Sequence, residues 1–325
     1  MGVIFLYLKV KALKHLYTGY RVKGRSSMKL TREMRRESRH FYAFTSPWIL
    51  GFIIFALFPV MASLYYSFTE YDIINHPVFI GLDNYKELFQ DSQFWNSVKV
   101  TLKFTFISVP LTLCLSLIFA LLINQKVPLQ GFFRTAMYFP SMISGVSMAL
   151  LWFWVFNPQA GLFNYVLSWF GIDPIPWLLD EKYALWALII MSFWGMGAWM
   201  LIFLAGLQGV PASLLEAAKL DGAGRWKTFL NVTFPMISPV FLFQLIIGVI
   251  DSFQVFTQAY TITQGGPSYS TWFYVYNIYI NAFKNFRYGY ASAMAWLLLV
   301  AVLLVTFLIL KTSTRYVYYE GGEER

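Results

Sequence analysis

Long apolar stretches recur along the chain, and shorter polar stretches separate them. A helix needs about 20 apolar residues to cross the roughly 30 Å hydrocarbon core of a bilayer, where its backbone amides must be hydrogen-bonded within the segment. The stretches that meet this requirement run approximately over residues 47–68, 98–123, 133–156, 183–207, 236–260 and 289–311. The pattern therefore predicts an all-α, polytopic membrane protein with six transmembrane helices.

Composition supports a membrane protein and excludes several kinds of chemistry. Apolar residues make up 58% of the 325 residues and charged residues only 13%, whereas soluble domains carry about 25% charge. The single cysteine, Cys114, excludes an intrachain disulfide and a thiolate metal cluster, and the three histidines are scattered along the chain. We therefore predict no metal site and no catalytic residues.

The positive charge is concentrated at one end of the chain. The net charge is +9, and basic residues cluster between Lys9 and Arg39 instead of forming a stripe on a polar domain, which argues against a nucleic-acid partner. With the amino end inside, the inner segments hold most of the lysines and arginines. The outer loops hold Lys86, Lys182, Lys284 and Arg287. This bias predicts a multi-pass protein of the inner membrane with both termini in the cytoplasm.

These patterns predict a domain organisation. Residues 1–45 form a basic cytoplasmic tail, residues 46–311 a transmembrane domain, and residues 312–325 a second cytoplasmic tail. Within the first tail, residues 3–17 mix leucines with lysines, a pattern typical of a helix lying on an anionic membrane surface. A partly disordered tail fits the same residues equally well.

The segment between the fourth and fifth spans carries helix signals. Pro211 suits a first helical position, Ser213 and Glu216 have capping-box spacing, and Gly222 suits a helix end. We expect a short helix, a turn and a second helix that returns to the membrane. Such a short helix can pack against its own bundle or fill a groove on a partner.

The same segment carries a recognisable motif. Glu216-Ala217-Ala218, Gly222 and then residues 232–235 (Val-Thr-Phe-Pro) have the spacing E-A-A-x3-G-x9-I-x-L-P. The chain resembles the inner-membrane permeases of binding-protein-dependent ABC importers, which share this signature. Residues 263–267 (Thr-Gln-Gly-Gly-Pro) and 79–85 resemble the carbohydrate-uptake class, with its maltose-type and glycerol-phosphate-type permeases. The amino-terminal residues, up to about His40, fall outside the resemblance.

The resemblance implies a fold and a role for this loop. It implies the type I ABC importer permease fold, with a coupling loop at residues 208–235 whose helix docks on an ATPase. The residues implied in coupling are Glu216, Ala217, Ala218, Asp221 and Gly222. A purely structural alternative is that Glu216 caps its own helix. The chain contains no G-x4-G-K-[ST] sequence, so we expect ATP and Mg²⁺ to bind a separate ATPase subunit and this chain to be non-catalytic, without a cofactor of its own.

Polar residues inside the predicted spans indicate a substrate path. Asp251 is the acid well within a span, where an ionisable group is energetically expensive. Helical spacing would place Asp251, Gln254 and Gln258 on one stripe, beside Ser252. The alternative is that these groups only join helix to helix.

Aromatic residues and a glycine-rich loop complete the predicted sites. Trp194 and Trp199 flank Gly195, and aromatic rings can stack on sugars, although most tryptophans in such a chain face lipid. Gly195 and Gly197 could equally serve close helix packing. We expect Gly265, Gly266 and Pro267 to face a substrate-binding protein.

The resulting hypothesis is the transmembrane subunit of an ATP-driven importer in a bacterial or archaeal inner membrane. Its expected partners are a second, non-identical permease, an ATPase dimer, an extracytoplasmic substrate-binding protein, a carbohydrate and the lipid bilayer. A different hypothesis is an ion-coupled secondary carrier with Asp251 as the ion or proton site. A membrane-embedded enzyme would need a cluster of acids, bases or nucleophiles that the sequence lacks.

Overall fold

The computed structural model describes residues 32–125, 128–313 and 317–318. The predicted surface helix at residues 3–17 and most of the carboxyl-terminal tail lie outside the described residues. The α-helices are Arg32–Phe52, Phe58–Tyr66, Asp83–Gln90, Ser92–Ile123, Gln130–Tyr138, Gly145–Val155, Leu162–Ser168, Glu181–Ser192, Met196–Gln208, Ala212–Leu220, Arg225–Thr228, Phe234–Phe253, Tyr274–Tyr279 and Tyr288–Ser313. Short π-helical segments lie at Ile53–Leu57, Phe229–Thr233, Ala259–Thr263 and Ile280–Lys284, and 3-10 turns at Phe139–Met142 and Phe193–Gly195.

Helices long and apolar enough to cross a bilayer correspond to the predicted spans. By length and composition they are span 1 (Arg39–Tyr66), span 2 (Ser92–Ile123), span 4 (Glu181–Gln208), span 5 (Arg225–Phe253) and span 6 (Tyr288–Ser313). A bent pair, Gln130–Met142 and Gly145–Val155, makes span 3. The described chain thus has five straight candidates, or six spans when the bent pair is counted as one.

The chain divides into two compact units, Met1–Val60 and Met61–Arg325. In the described part of the first unit, large apolar side chains such as Phe44 and Phe55 are almost fully exposed. Water-soluble proteins rarely expose a continuous apolar surface of this kind, so it suits a lipid environment.

One buried core cluster of the second unit lies where spans 2, 4 and 5 meet. Val109 and Leu113 of span 2, Phe203 of span 4 and Ile237 and Val249 of span 5 are buried in one cluster. Val210, just before the short helix Ala212–Leu220, belongs to the same cluster. The loop between spans 4 and 5 is therefore attached directly to the membrane core.

Span 3 is bent by 99°, so the span predicted over residues 133–156 consists of two helices and not one continuous helix. Pro140 lacks a backbone N–H, and the helix tightens there into a 3-10 turn that ends at Met142. The chain then restarts as a new helix, in which the Ser144 hydroxyl accepts a hydrogen bond from the Ser147 N–H at 3.4 Å.

Span 5 is displaced toward the amino end relative to the predicted residues 236–260. It begins at Arg225, includes the π-helical segment Phe229–Thr233, and ends at Phe253. Gln254 leaves the helical conformation with φ −104° and ψ 17°. The helix therefore begins inside the loop predicted at residues 208–235, and a non-helical break follows Phe253.

A small subdomain precedes span 2 and packs on the start of span 6. Two short antiparallel strands, Thr69–Glu70 and Val78–Phe79, pair with Thr69 opposite Phe79. The buried Asn84 donates hydrogen bonds to the carbonyls of Ser67 and Thr69 at 3.0 and 2.9 Å. The sequence around residues 79–85 thus fixes this turn through its asparagine.

Candidate functional site

Spans 2, 4 and 5 line an open cavity of about 210 Å³ in the second unit, which we call the span cavity. Met148 of span 3 completes its wall. The lining residues that can interact with a polar ligand are Ser108, Thr112, Ser192, Trp199, Asp251 and Gln258. The cavity thus combines hydroxyls, an amide, a carboxylate and an indole ring.

Asp251 supplies the charge of the span cavity. Its side chain is exposed to the cavity and makes no hydrogen bond or ion pair within the described ranges. The adjacent Ser252 also lines the cavity, but its hydroxyl donates to the Val249 carbonyl of the same helix at 2.8 Å. The carboxylate of Asp251 is therefore available to a ligand, whereas the hydroxyl proton of Ser252 is engaged.

Trp199 is held in the cavity wall by two neighbours. Its ring lies directly on Gly248, so that a side chain at this position would overlap the indole. The buried Gln244 donates from its amide to the Trp199 carbonyl at 3.1 Å. Trp199 thus lines the span cavity, and its role in a substrate path stays a prediction.

The two glycines and the other tryptophan of span 4 have different roles. Gly195 lines the span cavity, and a Cβ there would meet open space. A Cβ on Gly197 would overlap the carbonyl of Met137 in span 3. Trp194 packs edge-on against Trp152 at 5.5 Å between ring centroids and does not line the cavity. Gly197 is thus the packing glycine, and Trp194 belongs to the core.

The predicted stripe of Asp251, Gln254 and Gln258 is wrong. Because the helix ends at Phe253, the 3.6-residue period does not continue through Gln254. The Gln254 amide donates to the Ile250 carbonyl at 3.3 Å, and Gln254 does not line the span cavity. Gln258 does line it, because the chain turns at the break.

Span 2 contributes polar residues to the site that were not predicted from the sequence. Small polar residues recur in it every three or four positions and are all buried: Thr101, Thr105, Ser108, Thr112 and Ser116. Two of them, Ser108 and Thr112, line the span cavity. A search for hydroxyl residues at helical spacing within apolar spans would have found this stripe.

The short helix between spans 4 and 5, Ala212–Leu220, has one buried and one exposed side. Ala218 is 9% exposed, and Leu215 packs against the core cluster of spans 2, 4 and 5. Leu214 and Leu220 are 42% and 89% exposed. Ala218, which the motif places in the partner contact, therefore faces the protein's own bundle, whereas two leucines present an apolar surface outward.

Glu216, Ala217 and Asp221 lie on the exposed side of this helix. Glu216 makes no hydrogen bond or ion pair with any described residue, so the structure does not support a cap on its own helix. The predicted capping box is also wrong, because Pro211 is the N-cap residue and no side chain caps the helix start. The helix begins one residue after the proline that was predicted to be its first.

The predicted helix end at Gly222 agrees with the structure. Gly222 has φ +75°, and its N–H donates to the Lys219 carbonyl at 3.0 Å, while the Ala223 N–H donates to the Ala218 carbonyl at 2.9 Å. This pair of bonds is the Schellman motif, which needs a left-handed residue at the position of Gly222. The glycine therefore sets the direction in which the chain leaves the helix.

The glycine-rich loop at residues 265–267 follows the π-helical segment Ala259–Thr263. Gly265 has φ +80° and is buried, and a Cβ there would overlap the Trp272 ring. The Thr271 hydroxyl donates to the Gly266 carbonyl at 2.7 Å. Packing thus explains the first glycine, and the contact of Gly265, Gly266 and Pro267 with a binding protein stays a prediction.

Sequence comparisons place this architecture among known proteins. Residues 104–316 match the family described as Binding-protein-dependent transport system inner membrane component. The chain is 43% identical over 306 residues to the Probable ABC transporter permease protein YesP of Bacillus subtilis (strain 168), covering 93% of this chain and 99% of that protein. It is 36% identical over 273 residues to the Probable starch degradation products transport system permease protein AmyD of Thermoanaerobacterium thermosulfurigenes, covering 82% and 91%.

Solved structures show the same fold. One is a bacterial ABC transporter involved in the import of the acidic polysaccharide alginate, with 28% identity, a TM-score of 0.77, and 86% of this chain and 96% of that chain covered. These matches confirm the all-α importer permease fold that the sequence predicted. The chain therefore belongs to the family of inner-membrane components of binding-protein-dependent transport systems.

Proposed function

We propose that this chain is one transmembrane subunit of an ATP-driven importer that moves a carbohydrate delivered by an extracytoplasmic binding protein. Relatives named for the transport of starch degradation products and of alginate support a carbohydrate cargo. The lining of the span cavity supports it as well, because Trp199 offers a face for a sugar ring and Asp251 and Gln258 accept or donate hydrogen bonds to hydroxyls.

The exposed side of Ala212–Leu220, the coupling helix, carries this proposal. Leucines on the surface of a short helix, beside the unpaired carboxylate of Glu216, form a surface that a partner groove would cover. The buried side of the same helix packs on the core that leads to the span cavity. We infer that a separate ATPase dimer, which binds ATP and Mg²⁺, docks on this helix in the cytoplasm, where both termini also lie.

The span cavity is proposed as this subunit's part of the translocation path. A second, non-identical permease would supply the facing wall, and alternating access would expose the cavity to each side in turn. The loop at Gly265, Gly266 and Pro267 would lie on the face that receives the binding protein. In this scheme the chain itself makes and breaks no covalent bond.

An ion-coupled carrier is the second candidate, because Asp251 is an acid in a span without a partner among the described residues. Proteoliposomes that contain this chain and the second permease, with and without the ATPase and binding protein, separate the two functions. The importer takes up radiolabelled oligosaccharide only when ATP, ATPase and binding protein are all present. Uptake that follows a proton or sodium gradient without them would establish the carrier instead.

The coupling helix is tested with a charge reversal and a matched control. Glu216→Lys is expected to abolish ATP-driven uptake and co-purification of the ATPase, because it places a cation in the docking surface. Ser213→Ala changes another exposed residue of the same helix and is expected to leave both measurements unchanged. Normal import by Glu216→Lys would contradict the docking role.

A further inference from the structure

A second cavity lies on the other side of the break that ends span 5. It has a volume of about 610 Å³ and is lined by residues of the segments 256–264 and 276–284, together with Val146. Val255 lines the span cavity, and the next residue, Phe256, lines this one, which we call the aromatic cavity. Two consecutive residues of the break, Val255 and Phe256, thus line different cavities.

The break itself indicates a function for both cavities. Discontinuous helices in transporters commonly form binding sites, because backbone groups outside a helix can contact a ligand. Here the interruption has a cavity on each side. A ligand that is longer than one sugar ring could therefore contact the break from both cavities.

The volumes of the two cavities differ in a way that suits different parts of one ligand. Ligand pockets for drug-sized molecules occupy roughly 300–1,000 Å³. The span cavity, at about 210 Å³, falls below this range, and the aromatic cavity, at about 610 Å³, falls within it. Of the two cavities of this subunit, the aromatic cavity is therefore the one whose volume falls within the range of ligand pockets.

The wall of the aromatic cavity contains a cluster of rings. Phe256 and Tyr260 line the cavity and are stacked with centroids 5.3 Å apart, and Tyr279, which does not line it, packs against both rings at 5.2 and 5.1 Å. Burial raises the pKa of Tyr276, and a hydrogen bond with Tyr260 raises the pKa of Tyr279. Such a cluster offers flat apolar faces with hydroxyl groups at their edges, which suits a sugar ring.

The charge of the aromatic cavity is opposite to that of the span cavity. Lys284 is the charged residue of its lining, and its ammonium forms no ion pair within the described ranges. Gln264 and Thr257 also line this cavity and add an amide and a hydroxyl. A cation among aromatic rings and uncharged polar groups favours a ligand that carries a carboxylate.

We propose that the aromatic cavity is a second sugar subsite, in which a uronic-acid ring of an oligosaccharide stacks on Tyr260 and places its carboxylate on Lys284. This inference rests on the proposed carbohydrate import and names its substrate class, an acidic oligosaccharide. The span cavity then receives a neighbouring ring, whose hydroxyls Asp251 and Gln258 bind.

The test uses the complete importer, with the second permease, ATPase and binding protein, in proteoliposomes. The probes are trimers of galacturonate, mannuronate, guluronate and glucuronate, each beside its methyl ester, which has the same rings without the charge. Binding of each probe to the binding protein is titrated first, and uptake is normalised to the bound fraction. The quantity compared is the ratio of acid to ester uptake.

Lys284→Gln is expected to lower this ratio about tenfold, the loss of one charge-assisted hydrogen bond, and Lys284→Arg is expected to restore it. Lys182→Gln is the matched control, because Lys182 is an exposed lysine that does not line the cavity. Tyr260→Ala is expected to slow uptake of acid and ester alike, whereas Tyr260→Phe keeps the ring and most of the uptake.

An unchanged ratio in Lys284→Gln, or import of neutral trimers alone, would overturn the inference while the proposed carbohydrate import stands. Loss of the second permease from the purified Tyr260→Ala complex would also overturn it, because the cavity would then be a subunit contact. Failure of the wild-type importer to move any carbohydrate with ATP would contradict the proposed function itself.

Discussion

Replacement of Gly222 by alanine tests whether the geometry of the coupling helix matters. A Cβ added at Gly222 has no atom within 4 Å, so the substitution causes no clash, but its φ of +75° is unfavourable for an L-residue. A left-handed conformation costs about 1–2 kcal/mol for a residue other than glycine. The native turn is therefore expected to lose a factor of about 5–30 in population relative to alternatives.

The assay for Gly222→Ala measures both the turn and the coupling. Amide exchange of Ala223, whose N–H bonds the Ala218 carbonyl, is expected to accelerate, and ATP-driven uptake is expected to fall. Gly224→Ala is the matched control, because Gly224 is equally open but has φ −67°. Gly222→Asn is expected to recover part of both signals, since asparagine tolerates this conformation. If Gly222→Ala and Gly224→Ala behave alike in both measurements, the reasoning is refuted.

Three further predictions concern the packing and the path. Gly197→Ala is expected to destabilise the protein by about 1–3 kcal/mol, because the methyl group would overlap a carbonyl of span 3; Gly195→Ala, which faces open space, should leave the melting temperature unchanged. Asp251→Asn is expected to slow import without loss of assembly, whereas Gln254→Ala is expected to import at the normal rate. Normal import by Asp251→Asn together with slow import by Gln254→Ala would show that the span cavity is not part of the path. Asn84→Ala is expected to lower the unfolding free energy by about 1–3 kcal/mol, because two backbone carbonyls lose their donor, which denaturant titration would measure.

The sequence was informative about the end of the coupling helix and misleading about its start. A glycine after a helix has one dominant physical reason, the left-handed turn, and Gly222 adopts it. Ser213 and Glu216 had the spacing of a capping box, but Pro211 already starts the helix, so both residues fall inside its first turns. Spacing alone does not fix the register of a helix start when two signals lie within two residues of each other.

The substrate path was predicted only in part, because hydropathy does not reveal where a span is interrupted. Asp251 and Gln258 both line the span cavity, but one precedes the helix break and the other follows it. Residues 252–258 contain no glycine or proline, so the sequence gives no local signal for this break. The hydroxyl stripe of span 2 could have been predicted, because Ser108 and Thr112 have helical spacing. Hydropathy does not reveal it, since a single hydroxyl scarcely lowers the mean hydropathy of an apolar helix. The sequence also could not distinguish Trp194 from Trp199, because tertiary packing determines which tryptophan lines a cavity.

The packing of the coupling helix gives its motion a direct physical route to the span cavity. Leu215 on its buried side contacts the cluster that contains Leu204 and Phe203 of span 4, and this cluster continues to Val109 and Trp199, which line the cavity. Close-packed side chains transmit displacement because they leave no free volume to absorb it. A docked partner that moves the coupling helix must therefore shift span 4 or separate Leu215 from the core. The Schellman turn at Gly222 favours the first outcome, because it fixes the chain that follows the helix and so resists rotation of the helix away from the bundle.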